Sequence, residues 1–374
     1  MEIYQNSLGK AEDLNKVDIP FTPDVFFLFV SPTFTDIEVF VKNLQHAYKT
    51  SLILGCSTAG EILGDAVLDS SVTITAVKFE KTRLKVVDED LSQHKSSFDA
   101  GHALSQRLQA KDLQHILIFS DGLNVNGAEL VKGLQHNMPE NISITGGLAG
   151  DGNDFGKTFV ISGDSVSSNK ITGLGFYGTE LTIGFGSKGG WDSFGVERLV
   201  TKSTDNVLYE LDGKPALNLY KSFLGEKAKE LPSSGLLFPL SLRDEDNKTP
   251  VVRTILSVDE KEQSLTFAGN IPKGSYVRLM KANMDRLISG AEQSAQIGKN
   301  TTNGKNQLAF FISCVGRRLV LKQLVEEEVE AANKVLGENT FTTGFYSYGE
   351  IAPFDKFTPC SLHNQTMTIT TFSE

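Results

Sequence analysis

Acidic side chains stand in or beside glycine-framed turns at four places in this chain, at Glu61, Asp121, Asp151 and Glu350. A basic side chain, Arg317, follows the end of an apolar segment almost directly. A free amino acid carries a carboxylate and an ammonium, so its pocket needs a guanidinium or backbone amides at one end and acids at the other. This set of residues therefore fits a small zwitterion.

Each of these side chains also has a purely structural interpretation. Glu61 and Glu350 can accept hydrogen bonds from the amides of their own turns and hold the turn shape. Arg317 can form a salt bridge with a nearby acid. A third interpretation makes Glu61 and Glu350 the acid and base of an enzyme acting on a small polar metabolite. The sequence leaves these alternatives open.

The turns belong to a pattern that the chain repeats three times. Each copy has an apolar strand ending in a small polar residue, then a helix, a second strand and the glycine-framed turn. The copies contain FLFVS with LILGCSTAGEI, HILIFSDG with ISITGGLAGD, and AFFISC with TFTTGFYSYGEI. A further apolar strand follows each turn. Such units bury their helix and strands and leave strand ends and turns for chemistry.

Length and composition predict two packed domains of the α/β (α+β) class, with mixed sheets flanked by helices. A glycine-rich stretch that ends at Asp192 predicts strands separated by turns, and we place the boundary after it. The predicted domains are 1–192 and 193–374. If the first and third repeats face one another, Glu61 and Glu350 lie about a pseudo-two-fold axis in a cleft between the domains.

Local patterns predict several elements in and around the second domain. A helix is expected from Ser203 or Thr204 to Leu211, and another after Pro215. Four apolar segments between residues 236 and 282 predict a meander of strands, with its first turn at the Asp-Glu pair of residues 244–245. The helix of the third repeat is expected from 319 to 336.

Composition excludes several classes of protein. The net charge of −10 and pI near 5.2 disfavour nucleic acid and anionic membrane surfaces as partners. The three cysteines form no CxxC pair and indicate a reducing compartment. The first residues show no signal segment, and the apolar runs are far shorter than the roughly 20 residues of a membrane span. We therefore expect a cytoplasmic protein with no membrane insertion.

Seven phrases in order give the chain a resemblance to a known family. They are GCSTAGEI (55–62), FSDG (119–122), GGLAGD (146–151), YELDGKPAL (209–217), CVGRR (314–318), GFYSYGEIAP (344–353) and HNQT (363–366). Together they resemble the FIST family, with a FIST N-like first half and a FIST C-like second half. The resemblance implies a sensory module of signal transduction that binds small molecules such as amino acids. It also implies a signalling partner, such as a histidine kinase or diguanylate cyclase.

The candidate ligand-binding residues come from the repeated turns and these phrases: Cys56, Ser57, Thr58, Gly60, Glu61, Asp121, Gly147, Asp151, Arg317, Tyr346, Tyr348, Glu350, His363 and Asn364. Tyr346 and Tyr348 alternate on a predicted strand, so their rings share one face, as pocket walls or as core. His363 is expected to bond the third turn, contact ligand or supply an axial nitrogen to haem, because some FIST relatives resemble haem proteins that sense nitric oxide. No zinc-type histidine pair is present, and we expect no metal.

Overall fold

The structure, a computed structural model, describes residues 1–243, 250–302 and 307–374. Each of the three repeats forms most of one six-stranded sheet, and a nine-stranded sheet is inserted into the third repeat. Each six-stranded sheet is mixed, with one parallel strand pair, whereas the strand pairs of the nine-stranded sheet are antiparallel. With the helices that pack on these sheets, this confirms the predicted α/β (α+β) class. The predicted turn at residues 244–245 lies outside the described residues.

The first unit combines a parallel strand pair with antiparallel neighbours. Its elements are β1 (Glu2–Leu8), β2 (Val25–Val30), α1 (Ile37–Ala47), β3 (Leu52–Ser57), β4 (Glu61–Leu63), β5 (Ala66–Leu68) and β6 (Val72–Lys78). Strands β2 and β3 are parallel, with α1 as their crossover, and β6 and β1 continue the sheet in antiparallel fashion. Helix α1 buries the apolar face that its 3.6-residue period predicts.

The second unit repeats this order with one more helix. Its elements are β7 (Arg83–Asp90), α2 (Ser97–Leu108), β8 (Leu113–Ser120), α3 (Gly127–Gln135), β9 (Ser143–Leu148), β10 (Val160–Ser162), β11 (Ser165–Ser167) and β12 (Lys170–Tyr177). Strands β8 and β9 are parallel, and β12 and β7 complete the antiparallel side.

The third unit opens with β13 (Thr182–Lys188) and is then interrupted by the insertion. The insertion contains β14 (Trp191–Ser193), β15 (Arg198–Thr204), β16 (Val207–Leu211), β17 (Lys214–Pro215), α4 (Ala216–Leu224), β18 (Leu240–Arg243), β19 (Val251–Arg253), β20 (Ile255–Asp259), β21 (Ser264–Phe267) and β22 (Tyr276–Ala282). The helix predicted from Ser203 or Thr204 to Leu211 is wrong. Asp205, with φ +50°, instead turns the chain between β15 and β16. The helix predicted after Pro215 is confirmed as α4.

The third unit then resumes after the insertion. It contains α5 (Met284–Thr301), β23 (Leu308–Cys314), α6 (Val315–Leu321), α7 (Val325–Leu336), β24 (Phe341–Ser347), β25 (Gly349–Ala352), β26 (Ser361–His363) and β27 (Met367–Ser373). The helix predicted from 319 to 336 is in fact α6 and α7, because Lys322 adopts φ +52° between them. Short 3-10 helices lie at Ala11–Lys16, Leu91–Gln93, Gly225–Glu230, Ser233–Leu237 and Lys322–Leu324.

The three units exchange hairpins in a cycle. Hairpin β4–β5 of the first unit pairs with β24 of the third, β25–β26 of the third pairs with β9 of the second, and β10–β11 of the second pairs with β3 of the first. Each hairpin thereby covers an edge that its neighbour would otherwise expose. The repeats are thus related by a pseudo-three-fold arrangement, not by the pseudo-two-fold considered from the sequence.

This exchange joins the two predicted domains through shared sheets. Strands from both sides of residue 192 pair in the sheet of the second unit and in the sheet of the third. The insertion begins at β14, next to the predicted boundary. The division into 1–192 and 193–374 stays a prediction about the chain.

Candidate functional site

The glycine-framed turns of the three repeats meet at one place, which we call the turn junction (residues 57–61, 148–151 and 346–350). The backbone N–H of Tyr346 donates to the carbonyl of Gly60 at 2.8 Å, and the N–H of Tyr348 donates to the carbonyl of Leu148 at 3.2 Å. The N–H of Gly150 donates to the carbonyl of Ser57 at 3.0 Å. Each turn therefore bonds to both of the others.

Glu61 lies in this junction at the start of β4 and is fully buried. Its carboxyl is held by the hydroxyls of Thr58, at 2.5 Å, and Ser71, at 2.8 Å. Burial raises the pKa of Glu61 to about 7, although these hydroxyls oppose the shift. The side chain fastens the turn to the residue just before β6.

Glu350 repeats this arrangement in the third unit. The hydroxyl of Ser347 donates to it at 2.8 Å, and that of Thr366, just before β27, donates at 2.9 Å. Burial raises the pKa of Glu350 to about 8. Glu61 and Glu350 thus occupy equivalent sites, each with its own pair of hydroxyls.

Asp121 fills the corresponding role in the second unit, although it follows the first strand and not the second. It accepts the N–H of Leu123 at 2.8 Å and of Asn124 at 2.9 Å. It also accepts the hydroxyl of Thr158, at 3.0 Å, and the N–H of Asn169, at 2.8 Å, just before β12. In all three units, a buried acid therefore connects the hairpin to the returning strand.

Arg317 lies in the first turn of α6 and is completely buried. Its Nη2 approaches Oε2 of Glu328 at 2.6 Å, and its Nε donates to the same oxygen at 3.0 Å. Nη1 donates to the carbonyl of Gly189 at 3.0 Å, and Nη2 also donates to the carbonyl of Leu287 at 2.8 Å. The guanidinium is engaged by protein groups on each of its three nitrogens.

The two tyrosines of the third turn reach different acids. The hydroxyl of Tyr346 donates to Oε1 of Glu328 at 2.7 Å. The hydroxyl of Tyr348 donates to Asp151. The ring of Phe155 stacks on the ring of Tyr348, with centroids 4.5 Å apart. Both rings are buried in the same hydrophobic cluster, which is the packing that the core interpretation of their alternation describes.

Asp151 also organises the loop that covers Tyr348. Its Oδ2 accepts the N–H of Gly156 at 2.7 Å and of Lys157 at 2.6 Å. The backbone of Phe155 adopts φ +48° in this loop, a conformation that residues with a Cβ rarely take. The loop is thus fixed over the third turn by one carboxylate and one ring stack.

His363 is buried beside Phe354, with ring centroids 4.3 Å apart, and its Nε2 lies 2.7 Å from the carbonyl of Ala352. Burial lowers the pKa of His363 to about 4, so the ring is neutral and Nε2 carries the donated proton. With Nε2 committed to a carbonyl and no exposed edge, the residue does not fit an axial haem ligand. The neighbouring Asn364 donates weakly to the carbonyl of Tyr348 at 3.5 Å.

The remaining predicted residues form the interior of the same region. Cys56 is fully buried, which raises the pKa of its thiol. Ser57 accepts the N–H of Phe159 through its hydroxyl, and Thr58 accepts that of Gly60. A Cβ on Gly147 would lie 2.7 Å from Ile312. Within the described part of the chain, no group of three or more His, Cys, Asp or Glu side chains is placed to hold a metal ion.

An open groove that the sequence analysis missed lies at the surface where the chain leaves β13. It has a volume of about 390 Å³ and is lined by Lys188, Gly189, Gly190, Arg286, Ser289, Gly290 and Gln293. This volume lies in the range of small-molecule sites. The signal in the sequence was the Lys-Gly-Gly run at 188–190, which we interpreted only as a turn.

Glycines let the two sides of this groove approach each other closely. A Cβ on Gly290 would lie 1.9 Å from the carbonyl oxygen of Gly189. At the mouth of the groove, Arg286 pairs with Asp192 at 2.6 Å and is largely exposed. The groove therefore brings an ion pair with an exposed guanidinium next to the partly exposed backbone of residues 188–190.

The groove and the turn junction are connected through Arg317. The carbonyl of Gly189, which lines the groove, and that of Leu287, on α5, both accept from its guanidinium. Glu328 joins Arg317 to the hydroxyl of Tyr346, whose backbone bonds to the first turn. A continuous hydrogen-bonded path thus runs from the groove to the junction.

Comparisons with known proteins match most of the chain. The FIST N domain model matches residues 24–214, and the FIST C domain model matches residues 216–353. An uncharacterized protein from Methanocaldococcus jannaschii is 26% identical over 318 residues, which are 78% of this chain and 59% of that protein. The chain thus spans about three fifths of the length of this relative. Among the described residues, none of the helices has the length and apolar character needed to cross a membrane.

Proposed function

The chain belongs to the FIST family, whose domains are associated with sensing in signal transduction, and we propose that it binds a small zwitterion or anion in the groove at 188–190 and 286–293. The resemblance drawn from the seven phrases is confirmed by this membership. The proposal keeps the predicted class of ligand, an amino acid, and moves its contacts from the turn junction to the groove.

The chemistry of the groove supports a ligand with a carboxylate. Lys188 and Arg286 supply two cations, while Ser289 and Gln293 supply polar groups along α5. Asp192 lies beside Arg286, so an amino acid entering their ion pair would place its carboxylate on the guanidinium and its ammonium on the acid. Displacing one exposed ion pair costs little free energy.

The observation that carries the proposal is the bonding of Arg317. A ligand that moves residues 189–190 relative to α5 acts on the two carbonyls that Arg317 binds. Because the guanidinium and Glu328 are both buried, their pairing resists separation and favours joint movement. The movement then reaches the turn junction through Tyr346. Coupling of this kind requires that the ligand bind one arrangement more tightly than the other.

We also propose which kind of protein detects the ligand-bound arrangement. A signalling protein such as a histidine kinase or a diguanylate cyclase reads the changed arrangement in the cytoplasm, where the three buried, unpaired cysteines would stay reduced. An acid–base enzyme receives no support from the geometry, since Glu61 and Glu350 are buried and each is held by its own hydroxyls. The geometry at His363 likewise gives a haem sensor no support.

The test is a thermal-shift and calorimetric screen against free amino acids and related zwitterions at millimolar concentration. A ligand at about 100 times its dissociation constant adds about 2.7 kcal/mol of stability, which raises the midpoint by several degrees. Arg286→Gln should lose this response. Arg83→Gln is the matched control, because Arg83 is also an exposed arginine paired with an aspartate, Asp112, away from the groove.

Two results would contradict the proposal. One is the absence of any stabilising ligand in the panel. The other is equal affinity in wild type and Arg286→Gln. The relay is tested separately with Tyr346→Phe, which should keep ligand affinity while abolishing the change in hydrogen exchange at residues 57–61 on binding.

A further inference from the structure

The inserted sheet contains a second cavity, between its strands and α4, made of elements that take no part in the groove. Its walls are almost wholly apolar and include Leu265 on β21, Leu279 on β22 and Tyr220 on α4. The hydroxyl of Tyr220 is already committed to the carbonyl of Phe238 at 2.7 Å. The interior of this cavity therefore suits an alkyl group.

The mouth of the cavity exposes apolar side chains. Val196 is 67% exposed and Phe223 is 42% exposed, and both line the opening. An apolar ligand seated between them would remove this surface from water, which is favourable in proportion to the area covered. The enclosed part of the cavity is small, about 20 Å³, and holds little more than one methyl group, so the rest of an alkyl chain would lie at the mouth between Val196 and Phe223.

Arg198 supplies positive charge at this mouth. Its guanidinium lies over the ring of Phe223, 5.4 Å from the centroid, and its Nη1 donates to Asp212 at 2.9 Å. Its Nε is buried and has no hydrogen-bond partner among the described residues. A buried N–H without a partner is unfavourable, so the Nε edge is a ready donor to a second carboxylate.

We infer that this cavity is a binding site for a short or branched aliphatic monocarboxylate. The alkyl end lies between Leu265 and Leu279, and the carboxylate accepts from Nε of Arg198. The neighbouring Phe223 covers the ligand from the solvent side. This site shares no lining residue with the groove, so Arg198→Met tests it independently of Arg286, and either proposal can fail without the other.

The first experiment is calorimetry on the full chain with isovalerate and hexanoate, and with the corresponding uncharged amides. Wild type should bind the acids and bind the amides at least tenfold more weakly. Arg198→Met keeps the aliphatic stem and removes the donor, so it should weaken acid binding at least tenfold and leave amide binding unchanged. Arg243→Met is the matched control, because Arg243 on the same sheet also pairs with an acid, Glu197, and lies 4.9 Å from an aromatic centroid.

The second experiment needs no variant and reads the Nε–H of Arg198 directly. In nitrogen-15 NMR spectra, its resonance should move on titration with isovalerate and remain in place with the amide. The inference is overturned if wild type binds neither acid at millimolar concentration, if Arg198→Met binds the acids as well as wild type, or if the Nε–H resonance is unmoved at saturation.

Discussion

Arg317 and Glu328 form an ion pair at 2.6 Å in which both side chains are completely buried. Removing two charges from water costs more than their attraction returns unless further hydrogen bonds satisfy them. Here the carbonyls of Gly189 and Leu287 complete the guanidinium, and the hydroxyls of Tyr346 and Ser313 complete the carboxylate. The pair therefore joins the residue after β13 to α5, β23, α6, α7 and β24.

Breaking this pair should be strongly destabilising. In Glu328→Gln the guanidinium stays buried without a counter-charge, and we expect a loss of about 3–5 kcal/mol in the free energy of unfolding. Glu327→Gln is the control, because Glu327 is next to Glu328 in the sequence but its side chain is exposed. This variant should change the free energy of unfolding by less than about 0.5 kcal/mol. Urea denaturation measures both. Equal losses in the two variants would show that the pair does not hold the fold.

Stability should fall as pH rises from about 6.5 to 8. In the folded protein the pKa of Glu61 is raised to about 7 and that of Glu350 to about 8. In the unfolded chain the pKa of a glutamate is about 4.3, so both carboxyls bind their protons more tightly in the folded state. Their contribution is complete below the unfolded pKa and is lost as pH rises through the folded values, at up to about 1.4 kcal/mol per pH unit and group. The buried His115 and His363, with pKa values lowered to about 3 and about 4, act in the opposite sense but only below about pH 6.5.

The pH dependence is measured by urea denaturation at several pH values. Glu61→Gln and Glu350→Gln should each flatten the decline, because an amide does not titrate. Glu12→Gln, at an exposed position, should keep the wild-type slope. An unchanged slope in both buried variants would mean that these carboxyls are ionised throughout.

Asp151 should control the order of the loop at 152–157. Asp151→Ala removes the acceptor of two backbone N–H groups, at Gly156 and Lys157, and the partner of the Tyr348 hydroxyl. We expect faster hydrogen exchange at those two amides and faster proteolysis within the loop. Asp154→Ala, an exposed acid of the same loop, is the control and should leave both rates near wild type.

Gly55 should not tolerate a side chain. A Cβ there would lie 1.8 Å from the carbonyl oxygen of Leu28 on the parallel neighbour β2, and that backbone cannot move without disrupting the sheet. Gly55→Ala should therefore lose more than about 3 kcal/mol of stability or fail to fold. Gly9→Ala, with open space around the new Cβ, should stay within about 1 kcal/mol of wild type. Thermal denaturation and soluble yield distinguish the two variants.

Much of the local structure could be predicted from short-range patterns. The apolar face of α1, the strands beside each glycine-framed turn and the helix after Pro215 depend on residues a few positions apart, and the structure contains all of them. The wrong helix at 203–211 arose because capping residues also suit a turn. There Asp205 provides the left-handed conformation that turns β15 into β16.

The sequence by itself determined the family, the fold class and the three repeats, because these depend on motifs and periodicities that are continuous along the chain. Only the tertiary structure decided which sheet each hairpin joins, since an unpaired edge offers the same backbone groups to any strand. It likewise decided that Arg317 faces Glu328 and the carbonyl of Gly189, contacts that connect residues 11 and 128 positions apart. A buried charge is satisfied by whatever groups folding brings around it, and those groups come from distant segments.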